Sequence, residues 1–493
     1  MNFNKNIDEK GTMISFNAGF SFSKNKNDPY SFAAIGFLND NLSDIKFANS
    51  FAEGSKPGGM SSENSNVAFI SSANLIYLGR YFIDGSLRYS GSSKFGKNQR
   101  YAPYWSLGMG WNLHRENWIK NLNIVDILKL RGSYGHTGSL NFASYQAITT
   151  YQYDPNLSGK AGLGANPMSM GNTDLKAQIT KDLNIGITST FLDNRLDFNL
   201  DYYVKRTKDM IVPVSMPLSS GISQVSRNIG EQLNRGYEIN LSGVILKKDD
   251  MYWRIGINAS HNYNELVKIG DVLKRQNKVN ASVSGYEPSK LYIEGESTSA
   301  LYAVRSAGID PADGQEIFIT KEGLYTKTYN SQDKVKLGDT EPKLRGSISS
   351  AFQYKGFSVN LSLQYSLKGY IYNSTRQRRI ESVDAKYNAD KRAYTQRWKK
   401  PGDVVEYLSI KSLGTSSEIY HSSRFVEKEN YFKIPSISLG YEFPREIIKK
   451  YGFNSLNFNL SINEIGYFST VKRERGTSYP FARNVSFTIS TRF

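Results

Sequence analysis

Alternation of apolar and polar residues is the feature that most restricts this chain, and it is cleanest in the last eleven residues. Val485, Phe487, Ile489, Thr491 and Phe493 take one parity; Asn484, Ser486, Thr488, Ser490 and Arg492 take the other. Successive side chains of a strand point to opposite faces, so such a segment has one apolar and one polar surface. A tilted strand of roughly 9–11 residues also crosses the hydrocarbon layer of a bilayer. The pattern recurs upstream. Leu456, Phe458, Leu460 and Ile462 alternate with asparagine and serine, as do Phe357, Val359, Leu361, Leu363 and Tyr365. Leu196, Phe198, Leu200, Tyr202 and Val204 alternate with Asp197, Asn199 and Asp201, and Ile14, Phe16, Ala18, Phe20 and Phe22 with Ser15, Asn17, Gly19 and Ser21. A period of two, repeated this often, predicts strands rather than helices.

About 14 antiparallel strands are predicted, at 12–23, 66–78, 80–91, 103–113, 126–136, 176–192, 195–207, 224–245, 252–264, 344–355, 357–371, 431–443, 454–464 and 483–493. Every other link is short, with Gly79, Asp193-Asn194, Lys247 to Asp250 and Gly356 in the turns. The links between are longer, above all 24–65, 137–175, 265–343 and 372–430. Short turns at one end and long loops at the other describe an all-β transmembrane barrel, with periplasmic turns and extracellular loops. Within 265–343 a short strand is expected at Ala300 to Ala307, followed by a tight turn through Gly308-Ile309-Asp310-Pro311-Ala312-Asp313-Gly314. Its two aspartates lack the spacing of an EF-hand calcium loop.

Composition agrees with this class and excludes others. The mean hydropathy of −0.48 belongs to a polar chain, but a barrel needs apolar residues at only every second position of each span. There is no uninterrupted apolar run long enough for a transmembrane helix. The 33 tyrosines and 26 phenylalanines suit aromatic girdles at two membrane interfaces. With no cysteine, disulfides and thiolate metal sites are excluded. Lys and Arg outnumber Asp and Glu by 62 to 45 but are scattered, which argues against nucleic-acid binding. The excess suits an anionic membrane surface. Met1-Asn2-Phe3-Asn4-Lys5 opens no apolar h-region, so no signal peptide is read within the chain.

No enzyme is indicated. His114, His136, His261 and His421 lie far apart, without ligand spacing, and no Gly-x-Ser-x-Gly elbow occurs. Gly91-Ser92-Ser93-Lys94-Phe95-Gly96-Lys97-Asn98 nearly spells a phosphate-binding loop. It ends on Asn98 where a magnesium-binding hydroxyl is required, and runs into another strand instead of a helix. No cofactor, metal or catalytic residue is assigned.

The same stretch belongs to a longer series. Arg88-Tyr89-Ser90-Gly91-Ser92-Ser93-Lys94-Phe95-Gly96 resembles the R-x-D-G-S-S-R-F-G signature of SusC/RagA-type TonB-dependent outer-membrane transporters of Bacteroidetes. Tyr104 to Trp111 and Leu128-Lys129-Leu130-Arg131-Gly132-Ser133-Tyr134-Gly135-His136-Thr137-Gly138 follow in that family's order. So do Gly308 to Pro311, Tyr354 to Phe357, Arg397-Trp398-Lys399-Lys400-Pro401-Gly402-Asp403 and Ser438 to Pro444. A terminal strand closing on Phe493 also resembles the assembly signal of outer-membrane barrels. Ser90 replaces the family's aspartate, Ser139 follows the T-G, and Thr470 to Gly476 stand where a G-x-D-P-E segment is expected.

The resemblance implies location in the outer membrane and uptake of oligosaccharides or peptides, energised through TonB. It further implies a SusD-like surface lipoprotein as partner. Such a transporter closes with about 22 strands around a plug, so residues 1–493 are expected to be the C-terminal part of its barrel, with plug, TonB box and signal peptide outside them. A stand-alone passive porin-like pore and a surface-adhesion barrel are the alternatives. Structural roles, in turns or packing, are expected for the motif positions Arg88, Gly91, Ser92, Ser93, Phe95, Gly96, Arg131, Tyr134, Gly135, Arg397, Trp398, Pro401, Gly402, Asp403 and Phe493. Tyr370, Tyr372 and Trp398 suit either sugar stacking or an aromatic girdle, and no cargo-binding residue is assigned.

Overall fold

The computed structural model describes residues 1–37, 44–53, 58–139, 142–159, 162–222, 224–282, 288, 290–383, 389–412, 420–472 and 483–493. Its main element is one antiparallel sheet of 15 strands. In chain order they are β1 (Asn2–Asn6), β2 (Met13–Asn27), β3 (Ser62–Tyr77), β4 (Tyr81–Ser92), β5 (Tyr101–Asn112), β6 (Val125–Ser139), β7 (Gln178–Phe191) and β8 (Leu196–Lys208). The sheet continues with β9 (Glu231–Lys248), β10 (Met251–Lys268), β11 (Leu344–Tyr354), β12 (Phe357–Tyr372), β13 (Val426–Glu442), β14 (Ser455–Ser469) and β15 (Val485–Arg492). Spatial order equals sequence order, and β1 and β15 form the two edges without pairing with each other.

All 14 predicted strands are present in this sheet, and one of its 15 was missed. Residues 2–6 carry a single apolar side chain, Phe3, so no alternation is visible there. The segment is held by main-chain pairing with β2, from Asn2 opposite Asn17 to Asn6 opposite Met13. The prediction for 224–245 needs a correction. Gln224–Asn228 leaves the sheet and pairs with Ile211–Ser215 as a separate hairpin. Gly230, with φ +91°, breaks the chain before β9 begins.

Turn chemistry fixes the short side. Lys355 and Gly356, with φ of 45° and 87°, join β11 to β12 as a two-residue turn whose residues both have positive φ. That geometry continues the right-handed twist of the flanking strands. The other end of the sheet bears the long links. They contain a hairpin of Thr150–Gly159 with Gly162–Ser169 and a four-stranded sheet described below.

Burial is inverted relative to a water-soluble β protein. On one face of the large sheet Phe20, Ile185, Phe487 and Ile489 are 73%, 54%, 61% and 55% exposed. A continuous apolar surface across so many strands has no place in water and matches the lipid-facing band of a membrane barrel. The opposite face carries serine, asparagine and charged residues. The buried apolar side chains Leu175, Leu266, Val304, Ile380, Tyr407 and Phe425 lie in or beside the long links. No described helix is long and apolar enough to cross a membrane.

Candidate functional site: a folded platform on the long-loop side

The links after β10 and β12 build one body. Ala300–Ile309, Glu316–Ile319, Tyr325–Thr326 and Lys334–Asp339 form a four-stranded sheet, so the strand expected at 300–307 is one member of four. It is tied to the next link by a parallel bridge between Val304 and Ser422 and by a 3.0 Å hydrogen bond from Ser306 N–H to Ser423 Oγ.

Two distant motif segments meet here. In the 308–314 turn, Gly314 N–H donates to Asp310 O at 2.8 Å, and Asp310 N–H donates to Gln315 O at 2.8 Å. The Trp398 indole N–H and the Gly402 N–H both donate to Pro311 O, each at 2.9 Å. Gly314 has φ +73°, and a Cβ there would stand 2.5 Å from the Trp398 ring. Pro401 and Gly402 turn the chain, and Asp403 Oδ2 accepts from the N–H groups of Lys399 and Lys400 at 3.0 Å each. Those backbone bonds hold the Asp403 carboxyl below the usual range.

The 308–314 aspartates are neutralised by protein. Lys327 Nζ lies 2.7 Å from Asp310 Oδ2 and 2.6 Å from Asp313 Oδ2. Its hydrogen bonds lower both carboxyl pKa values, while the two aspartates raise that of Lys327. Among the described residues no group of three or more His, Cys, Asp or Glu is arranged to hold a metal ion.

Beneath these turns is a buried polar core. Arg397, 3% exposed, donates to the carbonyls of Ala393, Leu408, Ile380 and Glu381 at 2.9, 2.8, 2.6 and 2.6 Å. Arg424 bridges Glu316 at 2.8 Å and Glu381 at 3.2 Å, and both carboxylate side chains are at most 5% exposed. Burial disfavours the Arg424 charge, but the two carboxylates outweigh it and its pKa stands above the ordinary value. Arg376 pairs with Glu427 at 2.9 Å and donates to Tyr407 OH at 3.0 Å. Burial raises the Tyr329 hydroxyl to about 12; its ring stacks 4.6 Å from Tyr420. Sequence reading missed Glu316, Glu381 and Arg424, whose separation along the chain leaves no spacing signal.

The other motif residues fall elsewhere. Phe95 and Gly96 clamp the loop after β4 to the loop after β6, Ser93 ties it to β3, and the Ser92 N–H donates to Arg100 O within the connection to β5. Ser93 N–H donates to Ser65 O at 2.9 Å, and Gly96 N–H donates to Leu175 O at 2.7 Å. Buried Phe95 packs 5.8 Å from Phe142. A Cβ on Gly96 would lie 2.0 Å from Thr173 O, and one on Gly91 would lie 2.4 Å from the Tyr101 ring. Arg88 stands in β4 opposite Tyr104. In β6, Arg131 pairs with Asp201 at 2.6 Å, Tyr134 meets Trp105 edge-on, and a Cβ on Gly135 would strike Trp105 O. Phe493 is 80% exposed at the far end of the sheet, its ring 5.1 Å from Phe453. Of the rings considered for stacking, Tyr372 is buried against His421 and Tyr370 lies over Gly338. Residues 473–476, within the divergent segment 470–476, lie outside the described residues.

This architecture has close counterparts. Residues 2–374 match the family described as TonB dependent receptor-like, beta-barrel. The chain belongs to that family. TonB-dependent receptor P39 of Formosa agariphila is 26% identical over 521 residues, covering 95% of this chain and 48% of the relative. TonB-dependent receptor SusC of Bacteroides thetaiotaomicron is 26% identical over 400 residues, covering 77% and 38%. The solved RagAB peptide transporter superposes with a TM-score of 0.80 at 22% identity, over 95% of this chain and 51% of that one. The chain thus spans about half the length of the relatives it matches. These matches agree with the SusC/RagA-type resemblance of the motifs. A TonB-dependent receptor barrel resides in the outer membrane, which accounts for the exposed apolar face. Its long loops, and with them the platform, face the cell exterior.

Proposed function

We propose that this chain is the C-terminal barrel wall of a TonB-dependent importer that takes up oligosaccharides or peptides, with a SusD-like lipoprotein seated on the platform. The observation that carries this reading is the fusion of two long exterior loops into one body around buried ion pairs. Mobile loops suffice for a barrel that merely spans the membrane. A rigid outer surface is what a docking partner requires, because its ordering cost has already been met before binding. Relatives named SusC and RagAB, the latter described as a peptide transporter, support the assignment. Further strands and a plug completing the pore are part of the proposal. Among the described residues the two edge strands do not pair with each other, which counts against self-closure as a passive pore.

The test is made in the bacterium that encodes the chain. Uptake of radiolabelled neutral oligosaccharides and of peptides is compared between the parent and a strain lacking this coding segment, with and without a protonophore. Loss of uptake on deletion, abolition by the protonophore and co-purification of a lipoprotein are expected. Uptake that depends on the chain but survives the protonophore would identify a passive pore; unchanged uptake and growth would overturn transport.

A further inference from the structure

Two connections at the short-turn end of the sheet, 113–124 and 443–454, are longer than a turn requires; two residues suffice to join antiparallel neighbours. The second is the more basic, with Arg445, Lys449 and Lys450 against Glu446 alone. It opens beside the β11–β12 turn, where Glu442 N–H donates to Gly356 O at 2.9 Å, and rejoins the sheet where Asn454 N–H donates to Arg492 O at 2.6 Å. In between, Arg445–Ile448 forms an α-helical turn and Lys449–Tyr451 a 3-10 turn, stopped by Gly452 with φ +81°. Ile448 is buried and its carbonyl accepts from Phe453 N–H at 3.2 Å, so the insert is folded on itself. Ile447 and Tyr451, four residues apart, are 53% and 75% exposed. Arg445, Lys449 and Lys450 are exposed as well, and none of them forms an ion pair among the described residues.

The root of this insert is on the apolar face. Phe458 stands opposite Tyr441 on one side and Ile489 on the other, which puts all three on the face of Phe487. Phe443 continues that face past the end of β13, its ring 4.7 Å from Tyr441 and 4.9 Å from Phe458. Tyr441 also meets Phe357 at 4.4 Å, and Phe453 meets Phe493 at 5.1 Å. This aromatic rim ends the lipid-facing band at the periplasmic boundary, the level at which such rings sit. An insert rooted there meets the headgroups of the inner leaflet, which is made of phospholipid. Basic side chains close to an anionic leaflet are attracted to it, and the attraction fades within a Debye length. Their long stems reach the headgroups while apolar neighbours enter the acyl boundary. We propose that the 443–454 insert binds anionic phospholipid of the inner leaflet. Arg445, Lys449 and Lys450 grip the headgroup, and Ile447 and Tyr451 dip below it. Because Phe453 and Asn454 also hold Phe493 and Arg492, a lipid bound there secures the terminal strand.

The whole receptor is purified from the native host and examined by native mass spectrometry, with phosphatidylglycerol and phosphatidylethanolamine of matched chains added in equal amounts. The parent is expected to retain phosphatidylglycerol in preference by about fivefold or more, and to lose that preference as salt rises. Combining Arg445→Gln, Lys449→Gln and Lys450→Gln should lower phosphatidylglycerol retention by about tenfold or more. Lys449→Arg with Lys450→Arg keeps the charge and should leave retention within about twofold of the parent. Lys247→Gln with Lys248→Gln is the control. These exposed lysines lie at the same end of the sheet but are followed by Asp249 and Asp250, so a loss of less than about twofold is expected. Ile447→Ser with Tyr451→Ser should weaken retention of both lipids, which separates the apolar contact from the charge. Equal retention of the two lipids by the parent overturns the proposal. So does a neutral triple variant that keeps its phosphatidylglycerol, or an equal loss in the 247–248 control. Where the triple variant does not reach the outer membrane, the parent's salt response decides: a preference unchanged by salt overturns the site.

Discussion

Replacing Arg424 by methionine removes the one guanidinium that bridges Glu316 and Glu381, 2.8 and 3.2 Å away. The arginine side chain is 10% exposed and the carboxylates 3% and 5%, so water reaches neither acid readily. Breaking a buried pair by deleting one partner costs about 3–5 kcal/mol, most of it the penalty of leaving charge buried without compensation. Here two carboxylates are left, so the upper part of that range is expected. The loss is local, because the bridge ties Glu316 of the small sheet to the 373–425 link and is not part of the large sheet. At a factor of ten per 1.4 kcal/mol, amide exchange through opening of the platform should accelerate by roughly three to three and a half powers of ten. Hydrogen–deuterium exchange with mass spectrometry on the receptor in outer-membrane vesicles reads this directly, using peptides from 300–339 and 373–412. Peptides from β11 and β12 serve as the control. Adding Glu316→Gln and Glu381→Gln to Arg424→Met should restore much of the protection, since neutral amides leave no uncompensated charge. Unchanged exchange in the platform would refute the reasoning. So would a triple variant as labile as the single one.

Gly314→Ala places a Cβ in left-handed backbone 2.5 Å from Trp398. Conformation and overpacking together should cost about 2–4 kcal/mol. In a double-mutant cycle with Trp398→Ala the packing share should vanish as a coupling energy, read by the same exchange experiment. The 310–313 turn should also respond to pH. Lys327 holds the Asp310 and Asp313 carboxyls below their ordinary values. Their contribution is therefore present above the unfolded carboxylate pKa of about 3.9 and lost as pH falls through the lower folded values. The Gly314 amide should stay protected at pH 5 and loosen in stronger acid. With Lys327→Met, loosening should begin at higher pH; an unchanged acid profile would show that the lysine does not set those carboxyls.

The motifs and the platform show different kinds of legibility. Gly356 and Asp193-Asn194 could be placed because a turn's demands are met by adjacent residues. The 308–314 and 397–403 segments were visible as separate turns, but nothing along the chain says that Trp398 lies on Gly314. The Arg424 bridge was invisible for the same reason: its partners are 108 and 43 residues away.

The sequence by itself determined which residues form strands, which face of each is apolar, and at which end the long links lie. These follow from a two-residue period and from turn chemistry, both local. Asn2–Asn6 escaped because its pairing is supplied by its neighbour instead of its own side chains. Only the tertiary structure decided that the links after β10 and β12 fold together and that Asp310 and Asp313 hold a lysine. Those facts depend on which distant segments become neighbours. Register across the sheet sets them, and no single strand carries that information.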